Sequence, residues 1–264
     1  MAGKIKYQKC FIAYLDILGF KERVRISQDN KEEVKLLLDS LKICNAFASG
    51  SKKVVNDMGG NRTIDIQSRF FSDSVVFFLK DSPDDLGHLF LIVRYVQDQL
   101  WSKGLLIRGA ITYGDMYFPN KNAENNITLG PGIIKAFELE SEIAVYPRII
   151  ISSTLYDYIE EKGIQAYPFA DDGEVKNYIR QDKDGVYFLD LLNQNIIRKK
   201  GEKLQKANNV FSIVWNSDDE SKYDTVILNV DRCARDNVSF KNEKIRQKYK
   251  WLQSYKESAL NGHR

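Results

Sequence analysis

Residues 11–20 read FIAYLDILGF and are apolar at every position except Asp16 and Gly19. A near-continuous apolar run of this length is what a strand covered on both faces requires, so Cys10 to Leu15 is predicted as a buried strand, with Gly19 as a turn element soon after. From about Phe20 to Ala48 the apolar positions recur at helical spacing, with a charged break near Gln28-Asp29-Asn30. The glycine-rich GSKKVVNDMGGN that follows reads as a loop or hairpin. Arg62 to Phe71 alternates, with Ile64 and Ile66 set against Asp65 and Gln67, as a half-buried strand does. Ser74 to Leu79 is a second apolar run, which puts Ser72-Asp73 in a tight hairpin with Asp73 at its tip.

Leu86, Leu89, Phe90, Val93 and Leu100 recur at helical spacing between Asp84 and Trp101, and Gly104 stops that helix. Leu105 to Tyr113 is predicted as a strand closed by Gly114-Asp115. After the polar loop NKNAENN, GPGIIKAFELESE reads as a helix with Pro131 in its first turn. Arg148–Ile151 is predicted as a strand, Ser153–Glu161 as a helix and Val186–Leu191 as a late strand. The order β-α-α-β-β-α-β-α-β-α-β implies an α+β sheet with a central hairpin and helices on one side. No internal repeat is visible. Beyond about Asn195 the chain turns basic and polar, with RKKGEKLQK leading to KNEKIRQKYKWLQSYKESAL. Residues 1–195 are therefore read as one domain and 196–264 as a helical extension of two long helices. Its lysines alternate with acids and form a solvated face.

Composition narrows the function classes. The 264 residues are 43% hydrophobic, ample for a sizeable core, and 39 Lys and Arg against 36 Asp and Glu leave a net charge of +3. That near-balance gives no general attraction to nucleic acid or anionic membrane. Cys10, Cys44 and Cys233 have no CxxC spacing, which predicts neither a zinc site nor a disulfide framework and suits a reducing cytoplasm. Two histidines, His88 and His263, exclude a histidine-rich metal centre. MAGKIKYQKC lacks the apolar run of a signal peptide, and LFLIVRYV is short and broken by Arg94, so no membrane span is expected.

Asp16 is the anomaly in this pattern. Burying an unpaired carboxylate costs several kcal/mol, and no cation lies nearby in sequence before Lys21. Asp16 ends one strand and Asp73 tips the hairpin between two others, so adjacent antiparallel strands would bring both to one edge of the sheet. Two carboxylates so placed repel, and one takes up a proton unless a cation intervenes. Mg²⁺ suits such a site, since it prefers one or two carboxylates together with substrate phosphates. The alternative is local: Asp16 as the N-cap of the following helix and Asp73 as an ordinary turn residue.

Four segments in order resemble one family. YLDILGF is similar to the first metal-binding motif of class III nucleotidyl cyclases, the adenylate and guanylate cyclase superfamily, and RFFSDSVVFF to its hairpin with the second metal aspartate. LIRGAITYG resembles the strand that follows and GPGIIKAFELE the helix near the substrate. The resemblance spans roughly Phe11 to Asp190, and its wording is closest to the bacterial pyrimidine cyclases of antiphage Pycsar systems. It implies a ferredoxin-like class III cyclase core, a mixed sheet with a central hairpin and helices on one face, plus the C-terminal helical extension.

The resemblance further implies that Asp16 and Asp73 hold two Mg²⁺ or Mn²⁺ ions, with the backbone carbonyl of Ile17 as a further ligand. Leu18-Gly19-Phe20 would offer backbone N–H groups to the β and γ phosphates of a nucleoside triphosphate. Lys183 falls where a further phosphate-binding lysine is expected. Arg69, four residues before Asp73, stands where purine cyclases carry a base-contacting residue. An arginine has donors only, so it would read carbonyl oxygens, which uracil, cytosine and guanine carry and adenine lacks, or else form a structural salt bridge. The resemblance sets it on the partner chain of a head-to-tail homodimer, acting across the interface. The product implied is a cyclic UMP or cyclic CMP read by a separate effector.

Some positions depart from the family pattern. Ile134 and Glu138 stand where purine cyclases have an Asn that orients the ribose and an Arg that stabilises the transition state. Ile127 stands where an acidic base-reading residue is expected. Lys135 adjoins the first of these, but one residue along a helix is a rotation of about 100°. Arg108 could brace the site or pair with a structural carboxylate. The competing readings are a purine cyclase, another polymerase-palm-like nucleotidyltransferase, and a module that binds nucleotide without turning it over.

Overall fold

The computed structural model describes residues 6–46, 52–56, 60–117, 129–164, 174–192, 202–207, 210–215, 228–229, 232–233 and 242–261. The elements that frame the centre are β1 (Gln8–Ile17), α1 (Phe20–Ser27), α2 (Lys31–Ala46), β2 (Lys52–Asn56), β3 (Gly60–Phe71), β4 (Ser74–Lys80), α3 (Pro83–Trp101) and β5 (Ile107–Met116). They are followed by α4 (Pro131–Glu138), which runs into a wider π-type turn at Leu139–Ile143, and by β6 (Ile149–Ile151), α5 (Ser153–Lys162), β7 (Ile179–Gln181) and β8 (Tyr187–Leu189). The C-terminal part holds β9 (Glu202–Ala207), β10 (Val210–Trp215) and α6 (Glu243–Asn261). NKNAENN and Ile127 lie outside the described residues.

Local chemistry explains the boundaries. The break expected at Gln28-Asp29-Asn30 separates α1 from α2, because the Asn30 side chain accepts the N–H groups of Glu32 and Glu33 and caps the second helix. Ser152 caps α5 by accepting the Leu155 N–H, and Gly163 ends it in the left-handed region. The β3–β4 hairpin turns through Ser72 at φ 53, with Asp73 beside it.

The sheet has ten strands in the order β7-β8-β6-β5-β1-β4-β3-β2-β10-β9. β1 is central, antiparallel to β4 on one side and to β5 on the other, while β5–β6 and β10–β2 are parallel. The chain is therefore α+β with a mixed sheet built around the β3–β4 hairpin, as the sequence pattern predicts. Phe11, Ala13, Leu15 and Ile17 enter the larger core with Phe77, Leu89 and Val93 on one face. Cys10 and Ile12 face the other way, into a smaller cluster with Val76, Phe78, Met116 and Ala136. β1 is apolar from Cys10 to Leu15 because both faces are covered there. Each fully buried side chain such as Phe77 contributes about 1.5–3 kcal/mol.

The helices divide unequally. α3, α5 and α6 pack on the larger core, whereas α4 lies alone across the smaller cluster. Its approach is close: a Cβ on Gly132 would meet Ile12 Cδ1 at 2.8 Å, and one on Gly114 would meet Gly132 Cα at 2.8 Å. Only glycine at both places lets α4 rest on β1 and β5 at backbone contact.

The C-terminal region differs from the expected pair of long helices. Residues 202–207 and 210–215 are antiparallel strands that extend the sheet beyond β2, and among the described residues one long helix, α6, follows. EKLQKA ends the strand order, and its two lysines suit an edge strand. In α6, Leu252, Tyr255 and Ala259 are buried in the larger core. β7 also pairs where no strand is expected from the sequence; three residues are too few to show a period.

Candidate active site

The alternation that sends Phe11 and Leu15 into the larger core sends Asp16 to the α4 side, in line with Ile12 and Tyr14. The register sets Asp16 opposite Ser74 on β4 and opposite Arg108 on β5. Ser74 Oγ donates to Asp16 Oδ1 at 3.1 Å, and Arg108 Nε donates to Asp16 Oδ2 at 3.4 Å. The absence of a cation near Asp16 in sequence is thus made good across the sheet, and this corrects the view that Asp16 has no protein counter-charge. Helix capping is ruled out as its role: Gly19 is the N-cap of α1, with no side-chain cap bond.

Asp73 reaches the same place through the backbone. The Ile17 N–H donates to the Asp73 carbonyl at 3.2 Å, so the end of β1 and the tip of the β3–β4 hairpin touch. The proximity has an electrostatic signature. Burial pushes the Asp16 carboxyl above its ordinary pKa, Asp73 pushes it further, and Arg108 and Ser74 offset only part of this.

A third carboxylate closes the group. Glu140, in the wide turn after α4, is 3% exposed, and its Oε1 lies 2.7 Å from Arg108 Nε. The contact is an ion pair without hydrogen-bond alignment, since Glu140 Oε1 has no hydrogen-bond donor. Burial, with Asp16 and Asp73 adding to it, raises the Glu140 pKa to about 7 against the pull of Arg108. Glu140 follows Gly132 and Ala136 at i+4 steps, on the buried side of α4. That spacing was the available signal for a residue the sequence reading passed over.

Lys248 on α6 also belongs here. It is half-buried, its pKa is lowered by burial and by Arg108, and Asp16 and Glu140 oppose that shift. The signal was its place on the stripe Ile245, Lys248, Leu252, Tyr255, Ala259, which is otherwise apolar or aromatic. Tyr14, one step back along β1, has its pKa raised by burial and by Glu140, Asp16 and Asp73, with Ser74 opposing.

The other expected site residues are placed as follows. Leu18 cannot offer its N–H to a phosphate as it stands, because that group donates to the Leu106 carbonyl at 2.8 Å. Gly19 (φ 75) turns the chain, and Phe20 opens α1, where helix geometry supplies no acceptor for the first N–H groups. Arg69 lies on β3 opposite Val76, which in turn faces Tyr14. One of its guanidinium nitrogens donates to the Ser68 carbonyl at 2.8 Å, its Nε is buried without a partner, and burial lowers its pKa. Lys135 points to α5, with Nζ 3.3 Å from Thr154 Oγ1. Lys183 sits in the β7–β8 turn, with β6 and β5 between β8 and β1, and borders a separate cleft. Ile134 is 56% exposed on α4.

Among the described residues no group of three or more His, Cys, Asp and Glu side chains is arranged to hold a metal ion. The donors present are the oxygens of Asp16 and Asp73, hard ligands that suit Mg²⁺ or Mn²⁺ only if further oxygens come from elsewhere. No helix among the described residues is long and apolar enough to cross a membrane.

No family model matches the sequence, and no curated protein is similar to it. Several solved structures share part of the fold. A class III adenylyl cyclase-like ATP-binding protein from Pseudomonas aeruginosa is 16% identical, with a TM-score of 0.43 over 70% of this chain and 38% of the other. This chain thus spans well under half of that protein's length. The guanylyl cyclase domain of the RhoGC fusion protein from the aquatic fungus Blastocladiella emersonii is 17% identical, with a TM-score of 0.42 over 70% and 97% of the two chains. An adenylate/guanylate cyclase/hydrolase from Silicibacter pomeroyi is 14% identical, with a TM-score of 0.37 over 70% and 97%.

Proposed function

We propose that this chain is a nucleotidyl cyclase that converts a nucleoside triphosphate, UTP or CTP, into a 3′,5′-cyclic mononucleotide and pyrophosphate. The observation that carries the reading is the convergence of Asp16 and Asp73 at the ends of β1 and the β3–β4 hairpin, in the order and spacing of the family's motifs. The pair fits divalent ions in chemistry: two sets of carboxylate oxygens, with the Asp16 pKa raised first by burial and then by Asp73, in a site short of positive charge. Bound there, Mg²⁺ or Mn²⁺ would lower the pKa of the substrate 3′-hydroxyl and offset charge on the phosphates.

The chain's own residues do the rest. Ser74 and Arg108 hold the Asp16 carboxylate in place, and Glu140 holds Arg108 from beneath. Gly19 and Phe20, rather than Leu18, are left to present N–H groups to a triphosphate at the start of α1. Positioning and charge stabilisation suffice for phosphoryl transfer, so no nucleophilic side chain is needed.

Arg69, with donors only and, among the described residues, no partner for its buried Nε, suits a base that carries a carbonyl, namely uracil, cytosine or guanine, and disfavours adenine. The choice of a pyrimidine over guanine rests on the resemblance to the Pycsar cyclases. A homodimer would bring Arg69 of one chain to the aspartates of the other. Phe71, Leu129, Ile134 and Phe137, each at least half exposed, offer apolar surface for it. The resemblance to Pycsar cyclases supports a signal in antiphage defence, made in the cytoplasm and read by a separate effector.

Incubation with each of the four nucleoside triphosphates and Mn²⁺, followed by separation of products, tests the reading. A cyclic monophosphate with pyrophosphate from UTP or CTP is expected; a dinucleotide product refutes it. A second reading, a nucleotide-binding module without turnover, is favoured by Ile134 and Glu138 at the family's ribose and transition-state positions. It gains if the protein binds a triphosphate tightly and releases no pyrophosphate.

A further inference from the structure

The cleft that Lys183 borders is separate from the acidic cluster. It lies between the β7–β8 hairpin and α6, with a volume of about 410 Å³, within the usual range for small-molecule sites. Its floor is aromatic: the half-buried Trp251 lies 5.4 Å from Tyr146 at an interplanar angle of 5°, with the nearly buried Tyr255 and Phe188 packed behind them.

A count of donors and acceptors shows what the cleft lacks. Asp182 accepts from Arg148, from the Trp251 indole and from the Lys183 N–H, and Asp184 accepts from Arg148 and from the Val186 N–H. The acidic oxygens are therefore already occupied by the chain. Arg180, Lys183 and Lys250 line the same cleft, and among the described residues none of the three is ion-paired. Arg180 only stands 5.9 Å from the Tyr255 ring centroid. The wall offers cationic donors and aromatic surface, while the two carboxylates are already taken.

We infer that this cleft binds a phosphate monoester with a planar ring, of the size of a nucleoside monophosphate, with Arg180, Lys183 and Lys250 on the phosphate and the aromatic floor beneath the ring. The inference does not depend on the cyclase reading, because none of these residues touches Asp16 or Asp73. α6 links the two places: it forms one wall of the cleft and also carries Lys248 beside the acidic cluster.

Calorimetric titration with 5′-UMP, 5′-AMP and inorganic phosphate tests it on three proteins: the wild type, Asp16→Asn/Asp73→Asn, and Arg180→Glu/Lys250→Glu. Binding of a monophosphate is expected to survive in the aspartate variant and to weaken at least tenfold in the charge-reversal variant. Arg180 is half-buried, so a fourth protein, Lys183→Glu/Lys250→Glu, in which both side chains are exposed, serves as the stability control: it is expected to weaken binding as well and to melt near the wild type. The inference fails if neither monophosphate binds the aspartate variant at millimolar concentration, or if charge reversal leaves the Kd unchanged. It also fails if inorganic phosphate binds as tightly as the monophosphates, which would remove the ring from the site.

Discussion

Arg148 and Arg108 each gather two acidic side chains at the margins of the same sheet, yet they leave them in opposite electrostatic states. Arg148 is 1% exposed, and its two terminal nitrogens reach Asp182 and Asp184. Against the upward push of burial, the bonds from Arg148 and Val186 hold Asp184 below its ordinary pKa. Tyr146, Phe188 and Trp251 surround the guanidinium. Arg108 meets Asp16 and Glu140 through Nε alone, and Asp73 adds a third negative charge. Both carboxylates it touches have raised pKa values. The first cluster is a closed ion pair that pins α6 to the β7–β8 turn. The second carries negative charge that the protein does not neutralise, and that surplus is what separates a ligand site from a structural bridge.

The contrast can be broken from either side. The largest expected effect is on turnover: Asp16→Asn or Asp73→Asn should lower kcat by at least about 10⁴-fold, about 5.5 kcal/mol, in a pyrophosphate-release assay. The same variants should melt no lower than the wild type, because each removes a repulsion. Loss of stability together with activity would make Asp16 a structural residue after all. Arg148→Ala should act in the reverse sense and cost about 3–5 kcal/mol of stability in urea unfolding, since it strands two carboxylates.

Glu140 supplies a smaller, pH-dependent effect. Its pKa is raised in the folded chain, from 4.5 to about 7, so its contribution to stability is full below pH 4.5 and is lost as the pH rises through about 7. In EDTA the wild type should lose about 3 kcal/mol across that window, and Glu140→Gln should flatten the dependence. The smallest effect is expected from Lys248→Met. Removing a cation that opposes the upward shifts of its neighbours should raise the apparent pKa of the Glu140 carboxyl by a fraction of a unit, about 1 kcal/mol or less, as followed by carboxyl NMR titration.

The legible parts of this chain share one property: their signal is local. The break at Asn30, the helix from Pro83, the hairpin at Ser72-Asp73 and the glycine-proline start of α4 each arise from a few neighbouring residues. Asp16 and Asp73 could be picked out because a carboxylate interrupts or adjoins an apolar run. β9 was not visible as a strand, because EKLQKA is mostly polar without alternation, whereas β10, VFSIVW, carried an apolar β-branched signal that the helical reading passed over. Glu140 and Lys248 were missed for a related reason. Each looks like an ordinary surface charge until the stripe it occupies is known to face inward. Leu18 shows the opposite error: its position suited phosphate binding, but its N–H is taken by Leu106, a residue on the loop before β5.

Backbone propensity, apolar period and turn chemistry act over a few residues, so the amino-acid order alone determined most elements of the first 192 residues, β7 excepted, and the two aspartates that stand out from their pattern. Which charges meet was decided by strand register. Setting Asp16 between Ser74 and Arg108, and laying α4 and α6 so that Glu140 and Lys248 join them, depends on contacts between residues far apart in the chain. Electrostatic energy falls with distance through space, and no spacing along the polymer reports that distance before the sheet is assembled.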